Sequence, residues 1–170
     1  MNHQTQKFTI QGAVGLIEIA QDVPPDKQPS KGVAVIAHPH PLFGGTLDNK
    51  VVQTMARAFT QCGWTAARFN FRGVGGTEGV HDEGRGELDD MLAVVAQLAP
   101  DGALCLAGFS FGAFVTTHAF AALHGTRHID KLVLVGTSVQ RSIAAPIATA
   151  EHGKTIVITA RQMTQLSWVQ

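Results

Sequence analysis

The segment Gly108-Phe109-Ser110-Phe111-Gly112 sets a serine between two glycines, each two residues away. A serine hydroxyl lifted above a sheet edge on a sharp strand-to-helix turn is suited to attack an acyl carbon. The helix that follows aims its positive end at the place where an oxyanion develops. The flanking glycines let neighbouring backbone approach closely. In a chain with 18 glycines the five-residue pattern alone is weak, and its context gives it meaning. An apolar run from Ala103 to Ala107 precedes it, and a helix-length stretch from Phe111 to Leu123 follows. Ser110 is therefore the candidate nucleophile, and the N–H of Phe111 the first candidate oxyanion donor.

A second donor is expected from the loop after an earlier strand. Val33 to Ala37 runs straight into His38-Pro39-His40-Pro41-Leu42-Phe43-Gly44-Gly45. Pro39 and Pro41 carry no N–H, which leaves the backbone of His40 or Leu42, with His40 favoured. Leu42, Phe43 and Phe109 flank these groups and are the candidate substrate-binding residues. His38 and His40 at i and i+2, with no cluster of carboxylates or cysteines, make a poor metal site. His38 is expected instead to hydrogen-bond loop backbone. Acyl transfer through a serine needs no cofactor.

A further glycine-rich loop, Phe69-Asn70-Phe71-Arg72-Gly73-Val74-Gly75-Gly76-Thr77, lacks the G-K-[ST] of a phosphate loop. Nor does it follow the G-x-G-x-x-G pattern of a dinucleotide site. Its expected role is structural, with Arg72 pairing with Glu87, Asp89 or Asp90 at the start of the next helix.

The elements that must position these residues follow from periodicity. Short apolar runs at Val33–Ala37, Thr65–Asn70, Ala103–Ala107, Lys131–Val135 and Thr155–Ile158 suit parallel strands buried on both faces. Between them Asn49–Gln61, Gly86–Leu98 and Phe111–Leu123 show helical spacing of apolar residues, with Asp48 a candidate N-cap for the first. Two weaker runs, Lys7–Ile10 and Ala13–Ile19, predict an antiparallel start, followed by a polar turn from Pro24 to Lys31. Strands alternating with helices make this an α/β fold.

Composition narrows the partners. The 170 residues carry 13 basic and 13 acidic side chains, which gives no reason to expect nucleic acid or an anionic membrane. No apolar run approaches a membrane span, and the first residues lack a signal-peptide core. Two cysteines, Cys62 and Cys105, argue against a disulfide framework and for a cytoplasmic protein. A small-molecule substrate and one domain over residues 1–170 are expected, with a core from 7 to 158 and an atypical tail from 159 to 170.

HPHPLFGGTLDNKVV (His38 to Val52), RFNFRGVGGTEG (Arg68 to Gly79), HDEGRGELDD (His81 to Asp90) and AGFSFGAFV (Ala107 to Val115) together resemble a small bacterial branch of the α/β-hydrolase superfamily. The likeness runs from about Lys7 to Ile158. It implies a largely lidless hydrolase of small esters, thioesters or amides, built on a mostly parallel sheet with helices on both faces, with Ser110 as nucleophile. That family continues past the strand equivalent to Thr155–Ile158 with an HGExDxxV-like segment holding the catalytic aspartate, then a strand and a loop with the catalytic histidine. This chain has no Asp, Glu or His beyond Lys154. The last strand and helix, and with them the acid and the base, are therefore expected to be missing and activity impaired. The alternative is a non-catalytic binding or scaffold protein that keeps the pocket.

One restored base before Thr159 permits HGETDDTVVL to be read after TIVI, so the tail is expected to be an out-of-frame reading of the family's C-terminus. His118 is expected to point away from the site, and His124, His128 and His152 lie at the far edge of the sheet. His38, His40 and His81 stand at the correct edge, where a substitute base must come from.

Overall fold

Runs such as Val33–Ala37 form strands at the centre of the molecule because no polar residue interrupts them on either face. In the computed structural model the described residues are 5–25, 29–137 and 144–159. Strands β1 (Gln6–Gln11), β2 (Leu16–Asp22), β3 (Val33–Ala37), β4 (Thr65–Phe69), β5 (Leu104–Phe109), β6 (Ile129–Val135) and β7 (Thr155–Ile158) make one sheet in the order β1-β2-β4-β3-β5-β6-β7. Strands β4, β3, β5, β6 and β7 run parallel, and the β1–β2 hairpin joins β4 antiparallel.

Alternation along the strands sorts the core into two layers. Val35, Ala37, Leu104 and Leu106 pack under α2 (Arg85–Leu98) and α3 (Phe111–Leu123), meeting Met91, Val94, Val115 and Ala119. Ile36, Ala66 and Ala107 face the other way, onto Val52, Met55 and Ala56 of α1 (Lys50–Gln61). The expected mostly parallel sheet with helices on both faces is thus the observed one. Among the described residues no helix is long and apolar enough to cross a membrane.

Three local readings are corrected. The second strand begins at Leu16, because residues 12–15 close the hairpin with the Gly12 N–H donating to the Gly15 carbonyl at 2.7 Å. Asn49, not Asp48, caps α1, its Oδ1 accepting from Val51 N–H (2.9 Å) and Val52 N–H (3.4 Å). Asp48 is drawn away to Arg68, at 3.2 Å, and to Lys7, at 3.6 Å. The strand expected from Ala103 to Ala107 reaches Phe109, directly against the turn at Ser110. The polar turn falls partly outside the described residues, at 26–28. So does the tail from 160 to 170, on which the expected loss of acid, base and last elements rests. Strand β7 is half-exposed at Ile156 and Val157, and β6 is its one strand partner among the described residues.

Buried ion pairs tie the loops to this frame. Arg68 on β4 reaches Asp22 through Nε (3.3 Å) and Nη2 (3.0 Å), and the Leu47 carbonyl through Nη1 (3.0 Å). Of the three acids offered to Arg72, the fully buried Asp90 takes it: Nε donates to Oδ2 at 3.1 Å and Nη2 to Oδ1 at 2.8 Å. The same Oδ2 accepts the Arg72 N–H at 3.0 Å. A Cβ on Gly86 would run into the guanidinium, so glycine is required where Arg72 lies along α2. Removing one member of such a pair strands the other charge, so Asp90→Ala is expected to cost about 3–5 kcal/mol in urea unfolding. A loss below about 1 kcal/mol would mean the Arg72 loop does not depend on the pair.

Candidate active site

Ser110 is the N-cap of α3 and one of two non-glycine residues with positive φ among the described residues, at φ 56° and ψ −114°. Three contacts keep it there. Its N–H donates to the Val135 carbonyl at the end of β6, at 2.9 Å. A Cβ on Gly108 would collide with the Gly112 carbonyl, and one on Gly112 with the carbonyls of Ala37 and His38. Helix α3 therefore starts hard against the ends of β3 and β5, which only glycines allow. Thr116 completes the lock, its hydroxyl set 2.7 Å from the Gly112 carbonyl and 3.1 Å from that of Ala107.

The loop after β3 folds over this start as a single 3-10 turn at Pro41–Phe43. The His40 carbonyl accepts from Phe43 N–H and Gly45 N–H, both at 3.1 Å. The Leu42 N–H points at His40 Nδ1, at 3.3 Å, so of the two expected donors Leu42 is the one turned inward to its own loop. Leu42 is 68% and Phe43 76% exposed. Phe109 lies elsewhere, half-buried among the residues under α1.

Rings gather around Phe111, whose N–H begins α3 and has no partner inside the helix. Its ring lies 4.7 Å from His40, 5.6 Å from His81 and 5.7 Å from Phe71. His40 in turn packs on Phe43 at 4.8 Å and on His81 at 4.9 Å. The structure thus brings together Ser110, Phe111, His40, Phe43 and His81 from three separate loops.

His38 behaves as expected of a structural histidine. Its Nδ1 donates to the Pro39 carbonyl at 2.6 Å, and its Nε2 accepts the Phe71 N–H at 3.0 Å. Both nitrogens are engaged with backbone groups. Among the described residues no group of three or more His, Cys, Asp or Glu is placed to hold a metal ion. Burial pushes the His38 imidazole down to about 4, against the smaller upward pulls of the Pro39 carbonyl and Glu87.

One neighbour of this cluster escaped the sequence reading. Glu87 is not a partner of Arg72; it is fully buried and holds the loop before α2, accepting Asp82 N–H (2.9 Å) and Gly84 N–H (2.8 Å). Its Oε1 also lies 2.8 Å from His81 Nδ1. The signal was present: a glutamate three residues after Gly84, at the N3 position of a capping box. His124, His128 and His152 pair with Glu151, Asp130 and the Ile147 carbonyl, away from these loops.

A parallel sheet whose central strand ends in a strained serine at a helix N-terminus defines an α/β-hydrolase architecture. The alpha/beta hydrolase fold family matches residues 40–162, and the chain belongs to it. XC6422 of Xanthomonas campestris, an a/b serine hydrolase without lid, is 33% identical with a TM-score of 0.78, over 98% of this chain and 79% of that one. An alpha-beta serine hydrolase homologue from Coxiella burnetii is 28% identical with a TM-score of 0.75, over 98% and 95%. The uncharacterized protein RP471 of Rickettsia prowazekii is 40% identical over 91 residues, which are 51% of this chain and 38% of that protein.

The buried neutral His38 makes stability depend on acid. The unfolded chain takes up this proton near 6.5 and the folded chain only near 4, so stability is full above 6.5 and falls as pH drops between the two values. The loss is on the order of 3 kcal/mol. Urea unfolding at pH 7, 5.5 and 4.5 should show this slope in the wild type and a shallower one in His38→Gln; equal slopes would refute it.

Proposed function

We propose that the chain is a serine-nucleophile hydrolase that acts on small esters, thioesters or amides by acyl transfer through Ser110. The observation that carries this reading is the strained Ser110 backbone between β5 and α3, with its N–H anchored on β6. A strained φ/ψ at a loop cluster marks a group held for chemistry rather than for packing.

In the proposed reaction the Ser110 Oγ attacks the substrate carbonyl carbon, and its proton passes to a base. The carbonyl oxygen becomes an oxyanion facing the N–H groups of Phe111 and His40. Collapse expels the alcohol, thiol or amine with a proton, and water then cleaves the acyl-Ser110 ester. The choice of His40 over Leu42 is supported by the Leu42 N–H already facing His40 Nδ1. The exposed Leu42 and Phe43 supply apolar surface for the substrate, and Phe109 a lesser contribution from beneath. Free Cys62 and Cys105 suit a cytoplasmic setting. The Xanthomonas and Coxiella serine hydrolases, alike over nearly the whole chain, support the same chemistry.

A fluorophosphonate probe tests the assignment. The wild-type chain should label covalently and Ser110→Ala should not, with p-nitrophenyl acetate hydrolysis by that variant at background. A folded wild-type chain that does not label is instead a binding protein that keeps the pocket.

A further inference from the structure

An oxyanion donor on the His40 backbone has to be held at one angle, and the ring of the residue two places earlier does the holding. His38 is fully buried. The Phe71 N–H reaches its Nε2 at 3.0 Å, so Nε2 is the acceptor and the ring proton sits on Nδ1. Nδ1 then donates to the Pro39 carbonyl at 2.6 Å. That carbonyl is one half of the Pro39–His40 peptide, which is planar and trans. In such a peptide the C=O and the N–H point in opposite directions, so a carbonyl turned to His38 turns the His40 N–H away from it.

Two further contacts confine the same peptide. Gly45 packs against it so closely that a Cβ there would run into the Pro39 carbonyl. The His40 carbonyl is tied down by the N–H groups of Phe43 and Gly45, both at 3.1 Å. The peptide also lies over the start of α3. A Cβ on Gly112, two residues past Ser110, would stand 2.5 Å from the His38 carbonyl oxygen, and the His40 ring is 4.7 Å from that of Phe111.

We propose that the His38 ring is a positioning residue for the oxyanion donor: by fixing the Pro39 carbonyl it aims the His40 N–H at the developing oxyanion. The proposal rests on the hydrolase reading above and adds to it the group that orients one of its two donors. His38 touches no substrate and takes no proton. Proline fixes φ but leaves ψ free, so without the ring the Pro39–His40 peptide can turn over. A carbonyl lone pair would then face the place where negative charge develops. The reference point lies on α2, because Phe71 is itself anchored. Its carbonyl accepts the Val74 N–H at 3.1 Å, and the next N–H, of Arg72, is held by the buried Asp90 at 3.0 Å. The angle of the donor is thus passed from Asp90 through the Arg72 and Phe71 amides and the His38 ring to one peptide.

Two substitutions separate the two bonds of the ring. In His38→Asn the side-chain N–H sits where Nδ1 sits, and the acceptor for Phe71 is lost. In His38→Gln the side-chain oxygen reaches the place of Nε2, and nothing is left to hold the Pro39 carbonyl. With p-nitrophenyl acetate at pH 7.5, His38→Gln should lower kcat by about 100-fold with KM within about threefold, as for loss of a contact made only in the transition state. His38→Asn should keep kcat within about tenfold of the wild type. Gly45→Ala, which crowds the Pro39 carbonyl, should lower kcat as His38→Gln does. A readout independent of turnover is the imidazole 15N spectrum at pH 7, which should show His38 protonated on Nδ1 alone. A kcat better preserved in His38→Gln than in His38→Asn would reduce His38 to a brace between loops and overturn the proposal, as would a proton on Nε2. If either His38 variant fails to fold by circular dichroism, Gly45→Ala and the tautomer decide. Wild-type kcat in folded His38→Gln removes the positioning role and leaves Ser110 intact. A wild-type chain that neither turns over the ester nor labels with fluorophosphonate removes the hydrolase reading, and this proposal with it.

Discussion

Everything at this site depends on the backbone of Ser110 being held in a conformation that a serine does not choose. A positive φ outside the left-handed helical well costs about 1–3 kcal/mol. That cost is met because β5 lies between β3 and β6 in unbroken parallel register from Cys105 to Gly108, and cannot slide to relieve the turn. The Val135 carbonyl takes the Ser110 N–H from one side. Gly108 and Gly112 admit the carbonyls of α3, Ala37 and His38 from the other. The sheet is thus a clamp, and the hydroxyl stands where the clamp forces it.

The loops over the clamp are organised by helix α2. Glu87 and Asp90 are one helical turn apart and both fully buried, and each takes a different loop. Asp90 receives the backbone and guanidinium of Arg72 just past β4. Glu87 receives the backbone at Asp82 and Gly84 and faces His81. A charge buried without a partner would be prohibitive, so each carboxylate makes one arrangement of its loop far better than the alternatives. In this way two acids on one helix carry the precision of the sheet into the loops above it.

Much of this was legible because each signal was local. The β3 run Val33–Ala37, the extent of α3 and the strand-serine-helix order are written in adjacent residues, where apolar runs and glycine positions suffice. The choice among Glu87, Asp89 and Asp90 for Arg72 was not legible. All three stand on the first turns of one helix, and only the packing of Arg72 along Gly86 selects Asp90. The cap of α1 failed for the same kind of reason. Asp48 and Asn49 are both good caps, and the decision came from Arg68, twenty residues on, which claims Asp48. The packing of Phe109 on the cluster under α1 follows from strand alternation and not from its place beside Ser110.

The three histidines of the loop cluster show how little a residue type determines by itself. His38, His40 and His81 lie within one continuous set of rings joined by Phe71 and Phe111. His38 meets a carbonyl on one nitrogen and an amide on the other, so it is a bracket between two loops and stays neutral well below pH 6.5. His40 accepts an amide from its own turn and so stiffens the loop after β3. His81 meets a buried carboxylate, Glu87 Oε1, at 2.8 Å from its Nδ1. The role of each ring in this cluster is therefore set by the group it faces, and not by its being a histidine.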